Sequence, residues 1–123
     1  MTQPLAIVFY ERLMPGSQLV NRLQDLNYRV QAINNSALLA ATARREFPLL
    51  VFADVDARGD VCGAIAQIKA DDTTRHLPVI AFAPDNRNEL LTAAQRAGAS
   101  LAVGESALAG HLQTVLDQAL NVD

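Results

Sequence analysis

The chain has 123 residues, of which 50% are hydrophobic, so it is long enough for one domain with a sizeable buried core and too short for two. Its formal net charge of -3 excludes a strongly basic nucleic-acid surface, and its single cysteine excludes an internal disulfide and a cysteine-based zinc site. The amino-terminal segment has no secretory signal and no run of ~20 apolar residues that could span a membrane, so we expect a soluble cytoplasmic protein without nucleic-acid or membrane partners.

Five short apolar runs, each bounded by turn residues, predict β-strands. In chain order they are LAIVFY (5–10), YRVQAI (28–33), LLVFA (49–53), PVIAFA (78–83) and SLAV (100–103). The first, third and fourth are continuously apolar, as is typical of strands covered by helices on both faces, whereas the second alternates like an edge strand.

Two helical patterns lie between the first three strands. The first follows the turn Pro15-Gly16-Ser17, so we expect it to begin at Gly16 or Ser17, and the second is expected to begin with Ser36 as its N-cap. The apolar residues predicted to face the core are Leu19, Val20, Leu23 and Leu26 in the first helix and Leu38, Leu39, Ala43 and Phe47 in the second.

Three further helices complete the pattern. Asp60 is a candidate N-cap for the third, and the fourth is predicted to begin near Asp85 or Asn86 and to end at Gly98. The last is predicted from about Ser106 to Leu120. Alternating strands and helices predict an α/β fold with (βα)5 order, in which a doubly wound parallel five-stranded sheet forms one domain over residues 1–123. Such sheets place their sites in a crevice at the carboxyl ends of the strands.

At that edge the stretch LLVFADVD ends in Asp54 and Asp56. The sequence here resembles the receiver domain of two-component response regulators, and the resemblance covers nearly the whole chain. It rests on the order of the βα units and on three segments: LQDLNYRVQAINNSALLAATARREFPLLVFADVD, TRHLPVIAFAP and AQRAGASLAV. The resemblance implies a flavodoxin-like three-layer sandwich with strand order 2-1-3-4-5. It also implies that Asp54 stands at the position that accepts a phosphoryl group from a histidine kinase.

The other site positions implied by the resemblance depart from the family pattern. Phe9 and Tyr10 replace the acidic pair that ends the first strand. Ala83 replaces the hydroxyl residue that ends the fourth strand, and Glu105 replaces the lysine after the fifth. Because an aspartate and a phosphoryl group are both anionic, transfer between them needs Mg²⁺ and a nearby cation. We therefore predict a degenerate receiver: a non-enzymatic signalling module without a cofactor, acting through protein contacts rather than the Mg²⁺-dependent phosphorylation cycle.

The resemblance also implies a partner surface on the fourth helix, the fifth strand and the fifth helix. Through it the chain would contact a histidine kinase, an effector domain or a second copy of itself. In this sequence the surface includes Glu89, Arg96, Leu101, Ala102, Leu108 and Gln113, with Ala102 at the position of the family's aromatic switch.

Several alternatives remain open from the residues. Asp54 could instead hydrogen-bond backbone amides at the strand end, and Asp56 could cap the following turn. The chain could be a working receiver of a phosphorelay, with Asp54 as acceptor and Glu11 as chief Mg²⁺ ligand. Glu105 could join Asp54 and Glu11 in a carboxylate cluster that holds Ca²⁺ or Mg²⁺.

A third class of function is a flavodoxin-like domain that binds a small ligand. The crevice would then be lined by the more apolar residues Phe9, Tyr10, Ala83 and Pro84. No dinucleotide, P-loop or nucleophile-elbow motif supports this interpretation.

Overall fold

The central sheet has five strands, all parallel to their neighbours. The computed structural model describes residues 4–11, 13–57 and 59–120, and for residues 13–15 only the backbone. The strands are β1 (Leu5–Phe9), β2 (Arg29–Ile33), β3 (Leu50–Asp54), β4 (Val79–Ala83) and β5 (Leu101–Gly104). Their order is β2-β1-β3-β4-β5, with parallel pairing throughout. The predicted α/β architecture is therefore confirmed, while the predicted domain limits at residues 1 and 123 lie outside the described residues.

Helices cover both faces of this sheet. They are α1 (Leu13–Asp25), α2 (Leu39–Glu46), α3 (Val61–Ala70), α4 (Asn88–Ala97), α5 (Glu105–Gly110) and α6 (Leu112–Leu120), with a 3-10 turn (Ser36–Leu38) before α2. One core lies between the sheet and α2, α3 and α4, and the other between the sheet and α1, α5 and α6. This is the predicted three-layer arrangement. In the described part of the chain, no helix has the length and apolar character needed to cross a bilayer.

Alternate residues of each central strand enter opposite cores. Along β1, Ile7 and Phe9 lie in the first core, and Ala6 and Val8 lie in the second. Every residue of β1, β3 and β4 is buried, whereas β2 at the sheet edge is mostly half-buried or exposed. The continuous apolar runs thus match strands covered on both sides.

The starts of the first two helices differ from the prediction. α1 begins at Leu13, so the expected turn at 15–17 lies inside the helix. Proline is tolerated near a helix start because the first N–H groups have no intrahelical partner. Before α2, the side chain of Asn35, rather than that of Ser36, accepts the N–H of Ala37 at 2.9 Å and caps the 3-10 turn.

Three residues predicted to face the core are exposed instead. Leu26, Leu38 and Phe47 expose 38%, 52% and 71% of their surface. Phe47 follows α2 with a left-handed backbone (φ 51°), which ends the helical repeat before this side chain can return to the core. The other predicted core residues of these helices are buried or half-buried: Leu19, Val20, Leu23, Leu39 and Ala43.

The third and fourth helices agree more closely with the prediction. Asp60 caps α3 as expected, since its Oδ1 accepts the N–H of Gly63 at 2.9 Å. Burial and the nearby Asp60 raise the pKa of the half-buried Cys62 thiol. α4 begins at Asn88, later than predicted, and ends at Gly98, whose φ of 116° suits a glycine C-cap.

The last helix is broken in two. His111 has φ -135° and ψ 40°, outside the helical region, so the single helix predicted from Ser106 to Leu120 is wrong. The preceding Gly110 weakens the helix there because glycine loses more backbone freedom than other residues. Both helices nevertheless keep a buried apolar side, formed by Leu108, Leu112, Val115, Leu116 and Ala119.

Candidate functional site

Asp54 is the last residue of β3 and lies at the carboxyl edge of the sheet, with no exposed surface. Its Oδ1 accepts the backbone N–H of Asp56 at 3.0 Å. A carboxylate that accepts the N–H two residues ahead fixes the chain in an Asx-turn. Asp54 therefore holds the start of the β3–α3 loop, which is the structural role that the sequence left open as an alternative.

The aromatic pair at the end of β1 is packed into the protein. Phe9 has no exposed surface and belongs to the core beneath α2, α3 and α4. Tyr10 is half-buried against the opposite core, and its ring lies so close to Gly16 of α1 that any side chain at position 16 would overlap it. The two positions that would carry carboxylates in a receiver are thus filled by tightly packed rings.

Glu11 lies beyond the strand on the exposed surface. It lines a cavity of about 340 Å³ together with Tyr10, Ala32, Ile33 and Asn34, at the β2 side of the sheet. Among the residues that the structure describes, no three acidic, histidine or cysteine side chains come close enough to hold a metal ion. The hypothetical carboxylate cluster of Glu11, Asp54 and Glu105 is therefore wrong. Mg²⁺ is usually held by one or two carboxylates together with several waters, so a site at Asp54 and Glu11 would take most of its oxygen ligands from water.

The ends of β4 and β5 carry neither a hydroxyl nor a cation. Ala83 ends β4 with no exposed surface, and the sheet register pairs it with Gly104. Glu105 is the first residue of α5, one position past the strand. Its half-buried side chain lines a groove of about 410 Å³ between α1 and α5, beside Leu19 and Arg22.

The crevice expected to be lined by four apolar residues is not formed as predicted. Phe9 and Ala83 have no exposed surface, so they cannot contact a ligand. Tyr10 and Pro84 are half-buried. Two of the four residues expected to line a small-ligand site are therefore inaccessible to a ligand.

Two residues of the loop after β4 make polar contacts that the sequence did not suggest. We define the β4–α4 loop as Pro84–Arg87. Asp85 accepts hydrogen bonds from the backbone N–H of Ser106 at 3.1 Å and from its hydroxyl. These donors stabilise the charged carboxylate and lower the pKa of Asp85.

Arg87 joins the β4–α4 loop to two other segments. Its Nη1 lies 3.3 Å from Oδ1 of Asp56, and its Nε donates to Oε2 of Glu89 at 2.7 Å. The hydrogen bond and the charge of Glu89, with a smaller contribution from Asp56, raise the pKa of Arg87. The arginine in turn lowers the pKa of Glu89. Asp56, predicted to cap a turn through its side chain, is thus an ion-pair partner across the crevice.

Comparison with known proteins identifies the fold. The structure superimposes on the receiver domain of the sensor histidine kinase PA1611 from Pseudomonas aeruginosa PAO1, which was solved with magnesium in its active-site cleft. The TM-score is 0.87 and the sequence identity 17%, over 98% of this chain and 100% of that one. The chain has the receiver-domain fold. The chemotaxis response regulator CheY4 of Vibrio cholerae gives a TM-score of 0.83 at 14% identity, over 97% of this chain and 100% of that one.

A third receiver-fold structure, a response regulator from Desulfuromonas acetoxidans, gives a TM-score of 0.77 at 15% identity, over 97% of both chains. No protein-family model matches this sequence, and no curated protein matches it either. At such low identity the likeness establishes the receiver fold and leaves the chemistry to the residues described above.

The residues expected on the partner surface of this receiver fold are not equally accessible. Leu108 is only 3% exposed and lies in the core beneath α1, α5 and α6, so its predicted role as a surface contact is wrong. Leu101 and Ala102 are half-buried, and they pack toward opposite cores. The exposed members of the set are Glu89, Arg96 and Gln113.

The lowered pKa of Asp85 predicts a pH dependence of folding. A carboxyl group whose folded pKa is depressed contributes stability that is fully present above its unfolded pKa, about 3.9 for aspartate, and is lost as the pH falls through the folded pKa. We expect Asp85→Asn to lower the Tm at about pH 7, and the gap to wild type to narrow as the pH falls below the unfolded pKa. Differential scanning calorimetry across this range measures the gap. In a Ser106→Ala background the gap should shrink, and a gap independent of pH would contradict the assignment.

Proposed function

We propose that this chain is a non-enzymatic signal-transduction module of the receiver type that works through protein contacts, without the Mg²⁺-dependent phosphorylation of an aspartate. We further propose that residues 1–123 form one receiver-like domain. The observation that carries the proposal is the packing at the end of β1. Phe9 is fully buried, and the Tyr10 ring lies against Gly16, so the positions of the metal-binding acids belong to the cores.

The charges around Asp54 support the same proposal. Two like unit charges about 4 Å apart repel by about 4 kcal/mol at an effective dielectric constant of 20. A phosphoryl group on Asp54 would need a cation to offset this repulsion, and the β5 end supplies Gly104 followed by Glu105. Among the described residues, Arg87 is a cation that reaches the β3–α3 loop, and it is paired with Asp56 and Glu89.

The partner we propose is another protein in the cytoplasm: a histidine kinase, an effector domain or a second copy of this chain. Its docking surface would be the α4–β5–α6 face, defined here by the exposed residues Glu89 and Arg96 of α4 and Gln113 of α6 and by the half-buried Leu101 and Ala102 of β5. This surface carries both charges and apolar area, as protein interfaces commonly do.

Treatment with acetyl phosphate and MgCl₂ tests the proposal directly. We expect intact-mass spectrometry to show no stoichiometric phosphoryl adduct on the wild-type chain, because in the part of the chain that the structure describes the end of β1 carries buried or half-buried rings in place of metal-binding acids and Glu105 follows β5 in place of a cation. A receiver domain with the full acidic site serves as positive control. A stoichiometric adduct that disappears in Asp54→Asn would overturn the proposal.

A second candidate function is a phosphoryl-accepting receiver with Asp54 as acceptor and Mg²⁺ as cofactor. One observation favours it: Asp54 stands at the carboxyl end of β3 in a receiver fold, and the PA1611 receiver holds magnesium in its cleft. This candidate predicts heat release on titration of the chain with millimolar MgCl₂, and loss of that heat in Glu11→Gln. Absence of any Mg²⁺ response in calorimetry would eliminate it.

A further inference from the structure

The β4–α4 loop is attached at two of its residues to parts of the chain that lie on either side of it. Asp85 reaches forward to Ser106 at the start of α5, 21 residues away in sequence. Arg87 reaches back to Asp56 in the β3–α3 loop, 31 residues away. We call the first contact the Asp85 clamp and the second the Arg87 clamp.

The Asp85 clamp fixes the loop to α5 through two donors on one residue. Both the N–H and the hydroxyl of Ser106 point to the Asp85 carboxylate. Gly104 lies directly under that carboxylate, and a side chain at position 104 would overlap it. The small residue at the end of β5 therefore leaves the space that the clamp occupies.

The Arg87 clamp is the middle of a longer hydrogen-bonded chain. Oδ1 of Asp54 accepts the N–H of Asp56, Oδ1 of Asp56 accepts from Arg87, and Arg87 donates to Glu89 in the first turn of α4. A continuous polar path thus runs from the end of β3 to the start of α4. Ala83 and Ala102 are not part of this path, because a methyl group neither donates nor accepts a hydrogen bond.

We propose that the two clamps lock the β4–α4 loop, and with it the α4–β5–α6 face, in one conformation that does not depend on phosphorylation. This inference rests on the proposed function, because a lock is useful to a module whose partner surface must be ready without a phosphoryl signal. The partner then meets a permanently formed surface. Binding is regulated by the concentration of the partner or by assembly, rather than by phosphorylation.

The clamps act on a local equilibrium rather than on global stability. Ion pairs between exposed side chains contribute little to the unfolding of a whole domain, and Arg87 is 43% exposed. The same contacts make up a larger share of the free energy of opening a short loop. That free energy is small, because few other interactions hold the loop closed. Loss of one charge-assisted hydrogen bond should raise the open population about five- to tenfold.

Amide hydrogen exchange by NMR, on the unphosphorylated chain without Mg²⁺, measures that opening. The reporting amides belong to residues of the two clamps or donate to them in the first turn of α4: Asp56, Arg87, Leu90 and Ser106. We expect Arg87→Gln to accelerate exchange at Asp56, Arg87 and Leu90 about five- to tenfold, and Asp85→Ala to do the same at Arg87 and Ser106. The amide of Val51 serves as an internal reference and should keep its exchange rate. It donates to the carbonyl of Pro78, just before β4, at the end of the sheet opposite the clamps.

Matched variants separate the lock from general destabilisation. Arg75→Gln removes an exposed ion pair with Asp72 and should leave all four reporting amides unchanged. Ser106→Ala removes the hydroxyl alone and provides a milder variant if Asp85→Ala does not fold. The lock would be overturned by one result: exchange rates at the four amides stay within a factor of two of wild type in Arg87→Gln and in either Asp85 clamp variant. The two proposals can fail separately. If the clamp variants accelerate exchange and the wild-type chain also forms a phosphoryl adduct, the proposed function is overturned and the lock is supported.

Discussion

Phe9→Ala is expected to lower the free energy of unfolding by about 3–5 kcal/mol, the usual cost of emptying a fully buried phenylalanine site. Phe9 has no exposed surface and packs in the core beneath α2, α3 and α4. Truncation would remove its transfer free energy and leave a cavity beside β1, between two neighbouring strands that limit relaxation. Urea denaturation followed by circular dichroism measures the change.

Phe47→Ala is the matched control, because it removes the same side chain from a residue that is 71% exposed. Its effect should remain within about 0.5 kcal/mol, as for most surface substitutions. Equal losses in the two variants, or a loss below about 1 kcal/mol in Phe9→Ala, would contradict the description of Phe9 as a core residue.

Phe9→Asp should destabilise the chain at least as much as Phe9→Ala, because it adds an unpaired carboxylate to the same apolar site. Restoring an acidic residue at position 9 should therefore yield a poorly folded chain rather than a Mg²⁺-binding one. Loss of the cooperative urea transition together with no heat on MgCl₂ titration is the expected pair of results.

Asp54→Ala is expected to cost about 1.5–3 kcal/mol, the range for losing a hydrogen bond to a charged acceptor in a buried site. The Asp56 N–H would lose its acceptor, and the β3–α3 loop would lose its Asx-turn. Asp54→Asn keeps an oxygen at the same position, so it should lose less than half as much. The same urea experiment distinguishes the two variants.

Asp117→Ala is the control for this pair, since Asp117 is an exposed aspartate that accepts a hydrogen bond from Gln113 on the surface of α6. We expect a change of at most about 0.5 kcal/mol there. If Asn and Ala at position 54 were equally destabilising, the charge rather than the hydrogen-bond acceptor would be the source of the stability, and the Asx-turn explanation would fail.

The sheet could be predicted from the sequence because its central strands are buried on both faces. Runs such as LAIVF and VIAFA have no polar residue to place at a surface, and turn residues mark their ends. The helix ends were less predictable, because each depends on one local choice. Asn35 rather than Ser36 provides the cap, and His111 leaves the helical region after Gly110.

The site could be predicted only where it depends on strand ends. Asp54, Tyr10 and Ala83 follow directly from the strand assignments. Asp85 and Arg87 did not, because their partners lie 21 and 31 residues away and no local spacing connects them. A cluster of Asp and Arg residues at the ends of β3 and β4 was the available signal, and it does not indicate which pairs form.

The contact between Tyr10 and Gly16 also has an evolutionary consequence. Glycine inside a helix is about 1 kcal/mol less favourable than alanine, yet any larger residue at position 16 would overlap the Tyr10 ring. While the ring lies over the helix, position 16 cannot gain a side chain, whereas a smaller residue at position 10 would leave room for one. The order of substitutions therefore matters to an evolving chain: a helix-favouring residue at position 16 is accessible only after position 10 has changed.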